Sequence, residues 1–377
     1  MKLLVSITRV LVGILFIFSG LVKADDPLGL SYKMQEFFEV WNIHWFDHVT
    51  LAFSILMIVF EIVAGVALLL GWRIRLFSWL LLLLIIFFSF LTGYAFLSGK
   101  VRECGCFGDC IPLTAGESFT KDLILFVLIV FLFSVRDRIR PALPPRTSAA
   151  VLTAATVFSF LFQWWVLIHL PVVDCLPYKK GTNIPAAMRP PVGAIPDSTV
   201  ITLVYEKDGK RLEFDAQHFP ADFSDSYHFV NRYDKLIRKG NAEAAIKDFT
   251  LTTGPGADTT DAVLNAAGFK LFFFMKEVLD YHPSWNRDLS VVLAMAKAKQ
   301  IPVFLITAEY DNAVNWVGQQ GLTEQLTVLK CDATAIKTAA RADPTLYLIK
   351  TGNILQKWSY ADFKTAIPAI NELPERQ

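Results

Sequence analysis

Through the first 171 residues the apolar positions come as long unbroken runs, without the 3.6-residue stripe of a surface helix or the alternation of a half-buried strand. A bilayer core takes about 20 mostly apolar residues per helix. Runs of that kind cover residues 4–22, 49–72, 76–97, 122–135 with their flanks, and 149–170, the fourth being the shortest. The pattern then predicts a membrane bundle of five spans. After "HLPVVDCLPYKKGTNIPAAMRPP" it changes to that of a water-soluble domain, across a Pro/Gly-rich link at 171–196.

In the second half, residues 200–204 and 211–214 alternate around the turn "EKDGK" and read as a hairpin. A strand follows over 270–278, then a helix in "SWNRDLSVVLAMAKAK" with Ser284 near its cap, and a buried strand in "IPVFLITA". A helix over 311–319 leads into the strand "LTVLKCDA". "DPTLYLIKTGNILQKW" gives two strands joined at Thr351-Gly352-Asn353, and a last helix starts at Tyr360. Alternation of this kind implies an α/β layer around a mixed sheet.

Charge sets the expected orientation. Arg73 and Arg75 stand between the second and third spans, and Arg136, Arg138, Arg140 and Arg146 between the fourth and fifth. The link between the first two is richer in acids. The positive-inside rule then places the N-terminus and both arginine-rich links in the cytoplasm. Five crossings put the 98–121 loop and everything after the fifth span on the other side, where disulfides persist. The start of the first span also has the shape of a signal peptide, but Arg9 and the spans that follow favour a retained helix. Composition agrees with a membrane chain: 54% hydrophobic, 19% charged, and a net charge of +1 that offers nothing to a nucleic acid.

Four of the five cysteines fall on that expected outer face: Cys104, Cys106 and Cys110 in "RECGCFGDC", and Cys175 just past the fifth span. Closely spaced thiols close small, strained rings that exchange readily. Two structural disulfides tying the loop to the fifth span are the equal alternative, and a zinc site ranks third because the spacing is unlike a finger's. Two charges lie within spans, Arg9 and Glu61. Each must face the bundle and find a partner. An Arg9–Glu61 ion pair is the leading expectation, and a proton or quinone-headgroup site the other. Ser19, Lys23 and Thr92 read as packing or interfacial anchors.

"RVLVGILFIFSGLVKADDPLG", "FEIVAGVALLLG" and the loop "CGCFGDCIP" with "SFTKDLILF" resemble the DoxX-type four-helix membrane family, in the branch of the methylamine-utilisation protein MauE. That resemblance implies disulfide formation in periplasmic proteins and an architecture similar to quinone-linked disulfide-generating bundles. The element order of the second half, with "DPT" before a strand, resembles a thioredoxin-fold domain. Pro344 would match that family's cis-proline, while its Cys-x-x-Cys is replaced here by "LDYHPSW", with Tyr281 and His282. The implied whole is a DoxX-like four-helix bundle (1–140), a fifth helix (141–172), a linker (173–197) and a thioredoxin-like domain (198–377) in a bacterial inner membrane. Two functions follow. The first is thiol–disulfide exchange through Cys104, Cys106, Cys110 and Cys175, with a quinone as acceptor. The second is a membrane anchor whose redox-silent domain docks on a periplasmic or envelope partner, or holds a ligand around Tyr281, His282 and Pro344.

Overall fold

The computed structural model describes residues 2–101, 105, 107–195, 198–215, 219, 223–224, 226–238, 240, 242–278 and 283–374. Its N-terminal half is helical: α1 (Lys2–Asp25), α2 (Pro27–Val40), α3 (Thr50–Leu70), α4 (Ile74–Ser98), α5 (Ala115–Ser134) and α6 (Pro145–His169). Among the described residues, four helices are long and apolar enough to cross a membrane, at Lys2–Asp25, Asp47–Leu70, Ile74–Ser98 and Pro145–His169. The expected fourth span, α5, is less apolar because Glu117, Lys121 and Asp122 occupy its first turns. At ~1.5 Å per residue its 20 residues still run about 30 Å. Its Leu125, Ile129 and Leu132 share one core with Val12 and Phe16 of α1, Leu68 of α3 and Leu81 of α4.

α5 begins a full two turns before the apolar run does. Thr114 accepts from the Glu117 backbone while the Glu117 side chain bonds back to Thr114, a reciprocal cap that fixes the start. α2 was not expected at all. Asp26 accepts from Gly29 N at 3.0 Å and Pro27 supplies the first-turn φ, so the acidic link folds as a helix across the end of the bundle. α1 and α3 meet through glycines: a Cβ on Gly65 would lie 2.8 Å from the Gly13 carbonyl oxygen. Small residues let the two backbones touch where lipid offers no hydrophobic drive.

The C-terminal half holds two sheets. β1 (Ser198–Lys207), β2 (Lys210–Asp215) and β3 (His228–Arg238) form an antiparallel sheet in the order β2-β1-β3. The expected hairpin is β1–β2, and β3 completes it. The larger sheet contains β4 (Phe269–Phe274), β5 (Val303–Thr307), β6 (Thr327–Lys330), β7 (Thr345–Lys350) and β8 (Asn353–Ser359), ordered β6-β5-β4-β7-β8. β4, β5 and β6 are parallel, and β7 and β8 run antiparallel to their neighbours. Helices cover both faces, which is why β4 reads as unbroken Phe and Leu. Leu271 and Phe273 face α9 (Pro283–Ala298) and α12 (Phe363–Asn371), while Phe272 and Phe274 face α8 (Thr260–Asn265) and α11 (Ala333–Ala339). α10 (Tyr310–Gln319) joins β5 to β6.

The stretch expected as a linker is part of this domain. Tyr178 and Ile184 are buried in the core on the α8 side, and Ile184, at the start of α7 (Ile184–Ala187), donates its N–H to the Gly352 carbonyl. The domain sits on the end of the bundle formed by the α1–α2 junction, by α2 and by residues 107–110, through Arg341 on Asp26 and Asp109 and Lys276 on Tyr32. Both arginine-rich links lie at the opposite end, where Arg75 pairs with Asp137 at 2.7 Å.

Candidate functional site

A cavity of about 250 Å³ opens inside the bundle beneath the cysteine loop. Its lining is mostly apolar, with two polar clusters set into it. On the α1–α3 side, Lys23 Nζ lies 2.5 Å from Glu61 Oε1, and Ser19 Oγ donates to Glu61 Oε2 at 3.1 Å. Both charged groups are buried, at 4% and 1% exposure. On the α4–α5 side, Lys121 Nζ lies 2.5 Å from Asp122 Oδ1, and Thr92 Oγ1 donates to Asp122 Oδ2 at 3.0 Å. Each cluster is a lysine, a carboxylate and a hydroxyl. Aromatic faces accompany the lysines: Lys23 lies 5.0 Å from the Phe88 ring centre and Lys121 lies 5.3 Å from that of Phe107. Gly105 and Phe107, on either side of position 106, both line the cavity.

The expected Arg9–Glu61 pair does not form. Arg9 lies level with Gly71 at the arginine-rich end and donates to the Arg140 carbonyl at 3.3 Å. Glu61 is ten residues from Gly71 along α3, about 15 Å at ~1.5 Å per residue, beyond the reach of arginine. Lys23 takes its place. Gly20 is level with Glu61, since a Cβ there would lie 3.4 Å from the Glu61 Cβ, and Lys23 reaches back one turn. Ser19, Lys23 and Thr92 are thus polar groups of the cavity, where the sequence suggested packing or interfacial anchors. Lys121 and Asp122 escaped the sequence reading too. The signal was "TKD" at the head of an apolar run, where an acid with no exposed position needs a partner.

Of the four expected sulfurs, Cys110 and Cys175 are joined in a disulfide with Cα atoms 4.8 Å apart. Cys104 and Cys106 lie outside the described residues, as do Tyr281 and His282. The bonded pair stands where bundle and domain meet. Arg341 Nη2 donates to Asp109 at 3.0 Å and its Nε to Asp26 at 2.8 Å, and Lys357 Nζ donates to Asp174 at 2.7 Å. Burial opposes the Arg341 charge, but Asp26 and Asp109 outweigh it and raise its pKa. Burial pulls Lys357 down, with Asp174 resisting. Arg341 and Lys337 both lie 5.4 Å from the Tyr32 ring, and burial pushes the Tyr32 hydroxyl up to about 12.

The Asp343–Pro344 peptide is cis. The Asp343 carboxylate accepts the N–H groups of Lys276 and Glu277 at 2.8 and 3.1 Å, tying this turn to the end of β4. Burial raises the Asp343 pKa, with Lys276 opposing. His169, the last residue of α6, bonds Asp362 at 3.0 Å. Cys331 is buried, and burial pushes its thiol up to about 12, so it is a core residue and no nucleophile.

Known proteins resemble parts of this chain. The family model of the methylamine utilisation protein MauE matches residues 1–135. A domain of unknown function (DUF8463) matches residues 199–239, the three-stranded sheet. "Protein TlpB" of Flavobacterium psychrophilum is 30% identical over 128 residues, a match spanning 33% of this chain and 35% of that protein. The chain therefore matches only about a third of that relative's length. The apolar helices and the MauE match make this a membrane protein with a MauE-like N-terminal third and a mixed α/β domain docked on its end.

Proposed function

We propose that the protein carries out thiol–disulfide exchange in the bacterial envelope, with Cys104 and Cys106 as the reacting pair and the cavity as the seat of a quinone acceptor. One observation carries the reading. Cys110 and Cys175 are bonded to each other, and the residues flanking Cys106, Gly105 and Phe107, close over the cavity. Converting two thiols to a disulfide releases two electrons and two protons, the change that takes one quinone to its hydroquinone. A quinone is a flat apolar body with two carbonyl acceptors. The Lys23 and Lys121 ammonium groups would donate to them while Phe88 and Phe107 flank the ring. The resemblance to periplasmic disulfide-forming proteins and the arginine-rich links at the far end support a loop that faces the periplasm.

The test is thiol trapping in native membranes with and without quinone. Cys104 and Cys106 are expected to become reduced when quinone is depleted and oxidised when it is restored. A fixed redox state in both conditions removes the proposal.

A second reading has its own support, that of a scaffold. The C-terminal domain resembles a thioredoxin fold in its sheet order and in the cis peptide at Pro344, yet its free cysteine, Cys331, is buried. It would bind an envelope partner with no redox step of its own. Co-purification of a stoichiometric partner that survives Cys104→Ser and Cys106→Ser would favour this reading.

A further inference from the structure

Each bonded cysteine is preceded by an aspartate, in Asp109-Cys110 and Asp174-Cys175. Each of these aspartates grips a different buried cation of the same domain. Arg341 follows α11, is 6% exposed and meets Asp109 as well as Asp26, and Lys357, on β8, is 8% exposed and meets Asp174. The disulfide crosslinks the 99–114 loop to the segment after α6, so one covalent bond fixes the spacing of both anchors. Asp25 reinforces the same junction by accepting the N–H groups of Val172 and Val173 at 2.8 and 3.1 Å. Both cysteines are half-buried, within reach of a small thiol.

We propose that the Cys110–Cys175 disulfide is a redox latch, holding the C-terminal domain on the bundle when oxidised and releasing it when reduced by a dithiol. The dithiol gives two electrons and two protons, Cys110 and Cys175 become thiols, and the reductant leaves as a disulfide. The two aspartates then belong to two independent backbone segments. Lys357 cannot stay buried opposite a carboxylate that wanders, and Arg341, which keeps Asp26 but loses Asp109, is left with half of its counter-charge, because an unmatched buried charge costs more than rehydration. The latch uses a cysteine pair separate from the one proposed to exchange with quinone, so either idea can fail alone.

The experiment is hydrogen exchange by mass spectrometry on the full chain in lipid nanodiscs, before and after dithiothreitol, with the redox state of each cysteine mapped by mass. Reduction is expected to speed exchange at Val172, Val173 and the amides of 337–343 by about tenfold or more, as a sub-global opening does. Cys110→Ser with Cys175→Ser should show the fast pattern without reductant. Asp109→Asn with Asp174→Asn should show it with the disulfide intact. Cys104→Ser with Cys106→Ser should keep the response to dithiothreitol, and its loss there would overturn the latch. Unchanged exchange at these amides in fully reduced wild-type protein and in the Cys110/Cys175 double variant would also overturn it.

Discussion

Lys23→Met tests the buried pair on which the cavity's chemistry depends. The ammonium sits 2.5 Å from Glu61, and the two groups are 4% and 1% exposed. Its removal leaves Glu61 with the Ser19 hydroxyl at 3.1 Å and, among the described residues, no paired counter-charge. Breaking a buried pair from one side costs about 3–5 kcal/mol. At ~2–4 °C per kcal/mol for a unit of this size, the melting temperature should fall by about 6–20 °C. Lys23→Met combined with Glu61→Leu removes both desolvation penalties, so it should recover most of that loss or exceed wild type by roughly 1–4 kcal/mol. Arg9→Met is the internal control. Arg9 donates one 3.3 Å bond to a carbonyl at the bundle's end, so its loss should cost only about 1 kcal/mol. The assay is thermal unfolding of the full chain in mild detergent, followed by tryptophan fluorescence. An Arg9→Met variant as damaged as Lys23→Met, or a double variant that melts no higher than Lys23→Met alone, would refute the buried Lys23–Glu61 pairing as the source of the loss.

The glycine contact between α1 and α3 makes Gly65→Ala worse than Gly13→Ala. The new Cβ at 65 meets the Gly13 backbone oxygen at 2.8 Å, whereas that at 13 first meets the movable end of Leu69. About 1–3 kcal/mol is expected for Gly65→Ala, and equal melting points for the two variants would refute the ranking. Burial pushes the Tyr178 and Tyr347 hydroxyls above their ordinary 10.0, so above that pH the unfolded chain binds fewer protons and stability falls as pH rises. Lys276 and Lys357, pulled down chiefly by burial, add stability with rising pH only until their ordinary 10.5 is passed. The C-terminal domain should therefore lose roughly 1.4 kcal/mol per pH unit per tyrosine beyond that point. A melting temperature that is flat or rising between about pH 10.5 and 11.5 would contradict the assignment. Cys331, with its thiol at about 12, should resist iodoacetamide at pH 8 until the protein unfolds, since only about one molecule in 10⁴ carries the thiolate there. Labelling of the folded protein at the rate of a free thiol would show the site to be open.

Apolar run length was enough to find α1, α3, α4 and α6, because the bilayer imposes one length on every crossing. It said little about α5, whose start is fixed by a Thr114–Glu117 cap and whose first turns carry charge. It missed α2, where Asp26 and Pro27 are the helix signal and the surrounding acids suggested a loop. The candidate site was legible in its cysteines and in Glu61, since an acid within a span announces a partner. Which partner was not legible: depth depends on how two helices slide past each other, and the glycine contacts that set this slide have no signature beyond "small". The docking of the C-terminal domain was invisible for a related reason. Asp109 and Asp174 read as ordinary loop acids until Arg341 and Lys357, far along the chain, are brought to them. The turn at Asp343-Pro344 could be picked out because proline is a strong local marker, but its tie to Lys276 is a tertiary fact.

The cavity poses a question of energy. Two lysine–carboxylate pairs line one small space among membrane helices, and each ion placed there pays several kcal/mol in lost hydration. Apolar side chains of the same volume would fill the space at no such penalty, so stability alone does not account for four charges in it. Rigid pairing alone would not leave a void beside them either, because well-packed interiors keep few holes larger than a water molecule. The combination of a void, a mostly apolar lining and ammonium groups beside aromatic faces accounts for both costs at once if something flat with polar ends is meant to enter. The loop that would admit it is held on its α5 side, first by the disulfide at Cys110, three residues after Phe107, and then by the helix cap at Thr114. On the proposed exchange, a loop pinned on its α5 side would keep Gly105 and Phe107 at the cavity while Cys104 and Cys106 react, which would require the bonded pair and the reacting pair to be different cysteines.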